Sequence, residues 1–335
     1  MEKLIIHGGK TLKGEVNISG AKNSALPLMA ASLLAPGAHQ LTNVPSLRDV
    51  TTMISLLSHL GIECQQDGDK LTLQHTKLTA NNAPYDLVRT MRASVLVMGP
   101  LLAKFRHAKI SLPGGCAIGA RPIDLHLKAL EQMGAKVELH DGYVEVFADK
   151  LHSATIHFDK ITVTGTENIM MAAVFTNGKT LLKNAAREPE IIDLANYLNK
   201  MGAKITGAGT DCISIEGVNE LTASSHSVIA DRIEAGTFII AAGITGSEIT
   251  LQNCPTALLE TEIAKLKTAG LCFEPSKNSL LVKGPKQAIS VNMSTQAHPG
   301  FATDLQAQFM ALMSVANSTS VITENIFPDL FIPLT

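Results

Sequence analysis

The sequence predicts an α/β protein assembled from a repeated unit of helix, strand, helix and two strands. Such units bury their helices only by gathering together, so three per domain are expected around a helical centre with sheets outside. Three observations carry this. An apolar, helix-like stretch ends at a glycine four times, at Leu60-Gly61, Met133-Gly134-Ala135, Met201-Gly202-Ala203 and Ala269-Gly270, and these glycines are 73, 68 and 68 residues apart. Each is followed by an alternating segment broken by a turn: IECQQDGDKLTL, KVELHDGYVEV, KITGAGTDCISI and LCFEPSKNSLLV. A glycine past a helix end and then two short strands is a helix stop followed by a hairpin. Three units also place an asparagine at a strand end, 17 or 18 residues before the glycine: Asn43 in LTNVP, Asn184 in LKNAAREPE and Asn253 in LQNCP.

Along the chain, the turn SGAKN enters the apolar helix NSALPLMAASLLA, which leads to Asn43 and the first glycine. The second unit carries a long glycine-rich segment, SLPGGCAIGARPIDLH, before its helix. The third passes through DKITV and NAAREPEI, and the fourth opens with GTFIIAAGI. Each unit reads as taking its leading strand from the one before. A fifth unit opens at FATDLQAQFMALMSVA and reaches Asn325, whose glycine is expected at about position 342, beyond Thr335. The second domain is therefore expected to be incomplete.

Composition sets the function classes. Apolar residues make up 45% of the chain, which supports a folded core, whereas aromatics are 4% with no Trp, which argues against base-stacking platforms for nucleic acid. A formal net charge of −2 gives no bulk attraction to polyanions, so an anionic ligand requires a local cluster of Lys and Arg. The five cysteines form no CxxC pair and the histidines no HExxH, so neither a disulfide framework nor a metal site is expected, and a reducing compartment is. The opening MEKLIIHGGK has no secretory pattern and no apolar run, that near Phe238–Gly243 included, is long enough for a bilayer. A cytoplasmic location without membrane contact is the expectation.

Chemistry concentrates at residues 111–126. Cys116 lies among Gly114, Gly115 and Gly119, with Ala120, Arg121, Asp124 and His126 following. Glycines let a main chain approach a ligand closely, and a guanidinium nearby both binds an anion and tunes a thiol. The plain alternative is a glycine-rich turn around a buried cysteine. Lys22 and Asn23 stand where SGAKN enters a helix, a place where free N–H groups and the helix dipole favour an anion; the plain alternative there is a solvated lysine. Asp304 lies just inside an expected helix start, where an acidic residue also serves simply as a dipole partner.

Six motifs in order, SGAKNSALP, RTMRAS, SLPGGCAIGARPIDLH, NAAREPEI, DRIEAGTF and HPGFATDLQAQ, resemble the enolpyruvyl transferases from about Met1 to Asp329. The resemblance implies an inside-out α/β barrel of two domains built from βαβαββ repeats. One is expected over 21–229, the other over 1–20 plus 230–335 and truncated after about one and a half repeats. It also implies transfer of the enolpyruvyl group of phosphoenolpyruvate to the 3-hydroxyl of UDP-N-acetylglucosamine, without metal or cofactor. In that reading Cys116 is the proton donor or adds covalently to the enolpyruvyl carbon, roles that need thiol and thiolate respectively. Asp304 is the base for the sugar hydroxyl. Lys22, Asn23 and Arg121 hold phosphoenolpyruvate. Arg92, Arg121, Pro122, Ile123, Asp124, Leu125, Lys160, Ile161, Thr162, Val163, Asp304 and Ile326 face the UDP-sugar. Asp231, Arg232 and Glu234, with Arg187 and Glu188, resemble an inter-domain charge network outside the chemistry.

The resemblance breaks after Asp329, where Leu330 replaces an expected Arg and LFIPLT ends the chain without a charge. Extrapolating the repeat, roughly 80–100 residues are expected to be missing, and loss of register before the stop reads as a frameshift or nonsense-type truncation. Two alternatives stand beside the transfer reaction: a non-catalytic remnant that binds UDP-sugar, and a shikimate-pathway enolpyruvyl transferase. The resemblance says nothing of oligomeric state.

Overall fold

The computed structural model describes residue 3 and residues 5–88, 91–111, 123–140 and 142–327, with Arg92 described through its backbone alone. They divide into two compact units: Gly20–Ile229, and the segment ending at Ser19 together with the segment beginning at Ala230. Each has its own apolar core.

The split unit begins with β1 (Lys13–Asn17). The Gly20–Ile229 unit then runs through α1 (Lys22–Ala31), β2 (Gly37–Thr42), α2 (Arg48–Leu60), β3 (Ile62–Asp67) and β4 (Lys70–His75). Its second repeat is β5 (Asn82–Ala83), α3 (Tyr85–Val88), a 3₁₀ turn Arg92–Val97, α4 (Met98–Phe105), β6 (His107–Ser111), α5 (Asp124–Gln132), β7 (Lys136–His140) and β8 (Tyr143–Phe147). The third is β9 (Thr155–His157), α6 (Val163–Ala173), β10 (Lys179–Lys183), α7 (Pro189–Lys200), β11 (Lys204–Thr206) and β12 (Cys212–Glu216), after which comes β13 (Ser225–Ser227). The split unit resumes with α8 (Arg232–Thr245), β14 (Glu248–Gln252), α9 (Glu260–Thr268), β15 (Cys272–Pro275), β16 (Ser279–Lys283), β17 (Met293–Ser294), α10 (Gln306–Ser314) and β18 (Ile322–Thr323).

The three sheets of the Gly20–Ile229 unit are alike: β13-β2-β4-β3, β5-β6-β8-β7 and β9-β10-β12-β11. In each a short leading strand pairs in parallel with the repeat's own first strand, and a hairpin completes the sheet. The leading strand of the first sheet is β13, the last strand of the unit, so the three repeats close on themselves. The sheets remain separate and no closed β-barrel forms among the described residues; helices occupy the interior. From Ser24 to Ala31 in α1 and from Gly165 to Ala173 in α6 every residue is buried. Pro27 within α1 removes one rung of the helix, yet complete burial of its face holds the segment helical. The outer helices are amphipathic instead: α2 buries Val50, Met53, Leu56, Leu57 and Leu60.

Physical reasons for the repeating marks are now visible. Gly61, Gly134, Gly202 and Gly270 have φ of 106°, 92°, 109° and 99°, the left-handed conformation that ends a helix at little cost only for glycine. Asn43, Asn184 and Asn253 are also left-handed, at φ 56°, 53° and 56°. Their side-chain amides donate to the carbonyls of Val228, Phe158 and Ile18 at 2.9, 2.8 and 3.2 Å. Each acceptor is the residue just past a leading strand, so one asparagine both turns the chain and clamps the borrowed strand. Asn325 repeats the contact on Thr295, past β17, at 3.0 Å. The second repeat has no such asparagine. Its β6 and α5 are separated by residues 112–123, against 43–47 in the first repeat and 184–188 in the third. The cysteine segment is thus an insertion at the corner the other repeats close with asparagine.

In the split unit the sheet is β1-β14-β16-β15, with β17 and β18 forming a separate parallel pair. Asp304 falls in a 3₁₀ turn, Thr303–Leu305, which leads into α10. Among the described residues no helix is long and apolar enough to cross a membrane, and no group of three or more His, Cys, Asp and Glu is placed to hold a metal ion.

Candidate active site

In the Gly20–Ile229 unit the described residues singled out by sequence stand at helix starts. Lys22 and Asn23 are the first two residues of α1, whose first turn holds no acidic residue. Lys22 lies 3.5 Å from Asp49, a pair open enough to solvent for Lys22 to exchange partners. Ile123 precedes α5, with Asp124 and Leu125 as its first residues. Thr162 caps α6 by accepting the Gly165 N–H at 3.2 Å, and Val163 opens that helix. Lys160 is exposed and Ile161 is 43% exposed, a large apolar side chain left on the surface beside the α6 start. Arg92 begins the 3₁₀ turn ahead of α4. Cys116, Arg121 and Pro122 lie outside the described residues.

Buried polar contacts tie these helix starts together. Ser24 donates to Asp193 of α7, binding the first turn of α1 to the second turn of α7. The Ala186 N–H donates to Thr166 Oγ1 at 3.1 Å, binding the α6 start to the lead-in of α7. His126, in the first turn of α5, meets Thr164 and Asn168 of α6, and Asn168 reaches Val95 in the 3₁₀ turn. The starts of α1, α5, α6 and α7 and the 3₁₀ turn are linked in this way. Backbone N–H groups at helix starts are oriented donors for anions, and the dipoles add to them. The first turn of α1 offers such donors with no acidic residue among them, whereas α5 and α7 carry Asp124 and Glu190 in theirs.

The site also contains acid. Glu167, 1% exposed in the first half of α6, has a carboxyl pushed well above its ordinary value of 4.5, by burial first and then by the Glu190 and Glu188 carboxylates. Burial and these neighbours therefore favour its protonated form in the folded protein. Unfolded, it ionises above 4.5, so rising pH favours the unfolded chain and removes stability in the window from 4.5 up to the folded value. Glu167→Gln is expected to raise the melting midpoint by a few degrees at neutral pH and to leave it unchanged below about pH 4. Thermal melts of both proteins across pH check this. His126 is the opposite case: burial takes its pKa down to about 4, against a smaller upward pull from Asp124, so the ring is neutral near pH 7.

Asp304 and Ile326 belong to the split unit, and so are described apart from the residues above. Asp304 is exposed, and Ile326 is 36% exposed, so it is a surface residue of its unit. Asp231 caps α8 by accepting the Ile233 and Glu234 N–H groups at 2.7 and 3.1 Å, and Glu234 accepts both the backbone N–H and the hydroxyl of Ser19. Arg187, in the other unit, donates to the Gly209 carbonyl. The sequence reading missed Asp193, Glu167 and Asn168 entirely. Their signal was present: each is a polar residue in a helix segment where apolar residues set the pattern.

Comparison with known proteins follows the same line. A family model described as EPSP synthase (3-phosphoshikimate 1-carboxyvinyltransferase) matches residues 6–334. The chain belongs to this enolpyruvyl transferase family. Within it, a UDP-N-acetylglucosamine 1-carboxyvinyltransferase of Geotalea uraniireducens (strain Rf4) is 55% identical over 331 residues, covering 99% of this chain and 79% of the relative. One of Trichlorobacter lovleyi is 54% identical over 332 residues, with the same coverage of 99% and 79%. Among solved enolpyruvyl transferases, NikO from Streptomyces tendae superposes with a TM-score of 0.85 at 21% identity, over 98% of this chain and 79% of that one. An EPSP synthase from Acinetobacter baumannii gives 0.74 at 20% identity, over 94% and 74%. These likenesses show the enolpyruvyl transferase fold.

Proposed function

We propose that this chain transfers the enolpyruvyl group of phosphoenolpyruvate to the 3-hydroxyl of UDP-N-acetylglucosamine with release of phosphate. It thereby acts in cytoplasmic peptidoglycan synthesis, and so in cell-wall growth and division. The observation that carries this is 55% identity over 99% of the chain to a UDP-N-acetylglucosamine 1-carboxyvinyltransferase.

In this reading Lys22 and Arg121 neutralise the phosphate and carboxylate of phosphoenolpyruvate, and Asn23 hydrogen-bonds to them. Two cations and the α1 N–H groups suit a ligand of that charge better than solvent does. The Cys116 thiol gives its proton to C3 while the sugar oxygen bonds to C2, and the proton of that hydroxyl passes to Asp304. The resulting tetrahedral adduct then returns a C3 proton to the Cys116 thiolate, the bond from C2 to the phosphate oxygen breaks, and phosphate departs with the proton held by Asp304. Arg92, the segment Arg121 to Leu125, the segment Lys160 to Val163, Asp304 and Ile326 hold the nucleotide sugar. Purified protein is expected to release phosphate from phosphoenolpyruvate when UDP-N-acetylglucosamine is added, and not with shikimate 3-phosphate. Release with shikimate 3-phosphate instead would transfer the assignment to that acceptor, and release with neither would leave a binding remnant.

A further inference from the structure

His126 and Asn168 form a buried hydrogen-bonded pair that no step above uses. His126 is 2% exposed and Asn168 fully buried. The Asn168 amide is oriented without ambiguity, because the Gly99 N–H of α4 donates to Oδ1 at 2.5 Å while Nδ2 donates to the Val95 carbonyl at 2.8 Å. The second Nδ2 hydrogen points at His126 Nδ1, 3.1 Å away, so that nitrogen accepts. The ring proton must then sit on Nε2, which donates to Thr164 Oγ1 at 3.2 Å. One neutral chain thus runs from the 3₁₀ turn that begins at Arg92, through α4 and α6, into the first turn of α5 and back to the first turn of α6.

We propose that His126 and Asn168 are positioning residues for the nucleotide-sugar side of the site, fixing the starts of α5 and α6 against each other. This rests on the proposed transfer reaction. Their contacts run to the segments that carry Arg92, Asp124, Leu125, Thr162 and Val163. Lys22 and Asn23, the phosphoenolpyruvate residues, are held by a different buried contact, Ser24 on Asp193. Every donor and acceptor in the pair is matched, so an apolar replacement of His126 leaves the buried Asn168 amide without its acceptor and the half-buried Thr164 hydroxyl without the ring. A shift of the α6 start would follow, and small displacements of binding groups have large kinetic effects.

Steady-state phosphate release with each substrate varied in turn tests this. His126→Leu is expected to raise KM for UDP-N-acetylglucosamine by about tenfold with KM for phosphoenolpyruvate changed less than about twofold. His126→Gln, which retains one donor and one acceptor, is expected to recover most of the loss. Thr164→Val removes only the last acceptor, outside the core, and is expected to show the same selectivity at a smaller size, so it decides the matter if His126→Leu fails to fold. Equal changes in both KM values, or a lower yield of folded protein with unchanged KM, would overturn the positioning role while leaving the reaction assigned. Absence of phosphate release from the unsubstituted protein would overturn the reaction, and the positioning role with it.

Discussion

Replacing Cys116 by serine is expected to lower turnover by about 10²- to 10⁴-fold, the usual contribution of a positioned acid. A hydroxyl is a far weaker acid than a thiol, so it neither protonates the C3 methylene nor forms an anion able to attack carbon at neutral pH. KM values are expected to move little, since the cations that gather the substrates are untouched. Two of the other thiols, Cys64 and Cys254, offer poor substitutes. Burial raises the Cys64 thiol and pushes Cys254 up to about 11, so Cys254→Ser is expected to leave the rate unchanged. Stopped-time phosphate release on both variants checks the pair. Full turnover in Cys116→Ser would remove this thiol from the chemistry.

Asp193→Ala is expected to lower the unfolding free energy by about 3–5 kcal/mol, the summed cost of leaving its donors buried and unmet. Asp193 is 4% exposed. One oxygen accepts from the Ser24 hydroxyl and, at 3.3 Å, from the Ile229 N–H; the other accepts from His226 Nε2 at 2.7 Å. Lys200 donates to His226 Nδ1 at 3.0 Å, which fixes the ring proton on Nε2 and aims it at the carboxylate. Three donors, from α1, from β13 and from Ile229 two residues past it, therefore converge on a single anion. Urea titration reads the stability loss, and a loss under about 1 kcal/mol would show that water or neighbouring acceptors replace the carboxylate. In folded Asp193→Ala the start of α1 loosens, so the rise in KM is expected for phosphoenolpyruvate more than for the UDP-sugar, the converse of His126→Leu.

Periodic features were legible because backbone geometry demands them. A left-handed residue after a helix is nearly always glycine, so four such glycines revealed four helix ends, and hairpin alternation revealed the strands beside them. The asparagines were visible as marks before their purpose was: the left-handed turn together with a side-chain clamp on a neighbouring strand is a tertiary fact. Individual site residues were read from motif resemblance, and the structure adds that the described ones in the Gly20–Ile229 unit cluster at helix starts tied by buried contacts. What sequence did not show was the support beneath them. Asp193 and Asn168 look like ordinary interruptions of an apolar stripe, because their partners are 169 residues away, at Ser24, and 73 residues away, at Val95. The upward push on the Glu167 carboxyl was equally hidden, since it follows from complete burial beside two other carboxylates that lie some twenty residues on along the chain.

The return of β13 to β2 has one more consequence. The Ala21 N–H donates to the Ile229 carbonyl at 2.8 Å, so this stretch of chain departs from and comes back to a single spot. Such a segment is a topological cassette: it can be threaded into a host loop without untying either neighbour. The contacts that seal its ends, the Ala21–Ile229 bond and the pairing of β13 with β2, lie inside it.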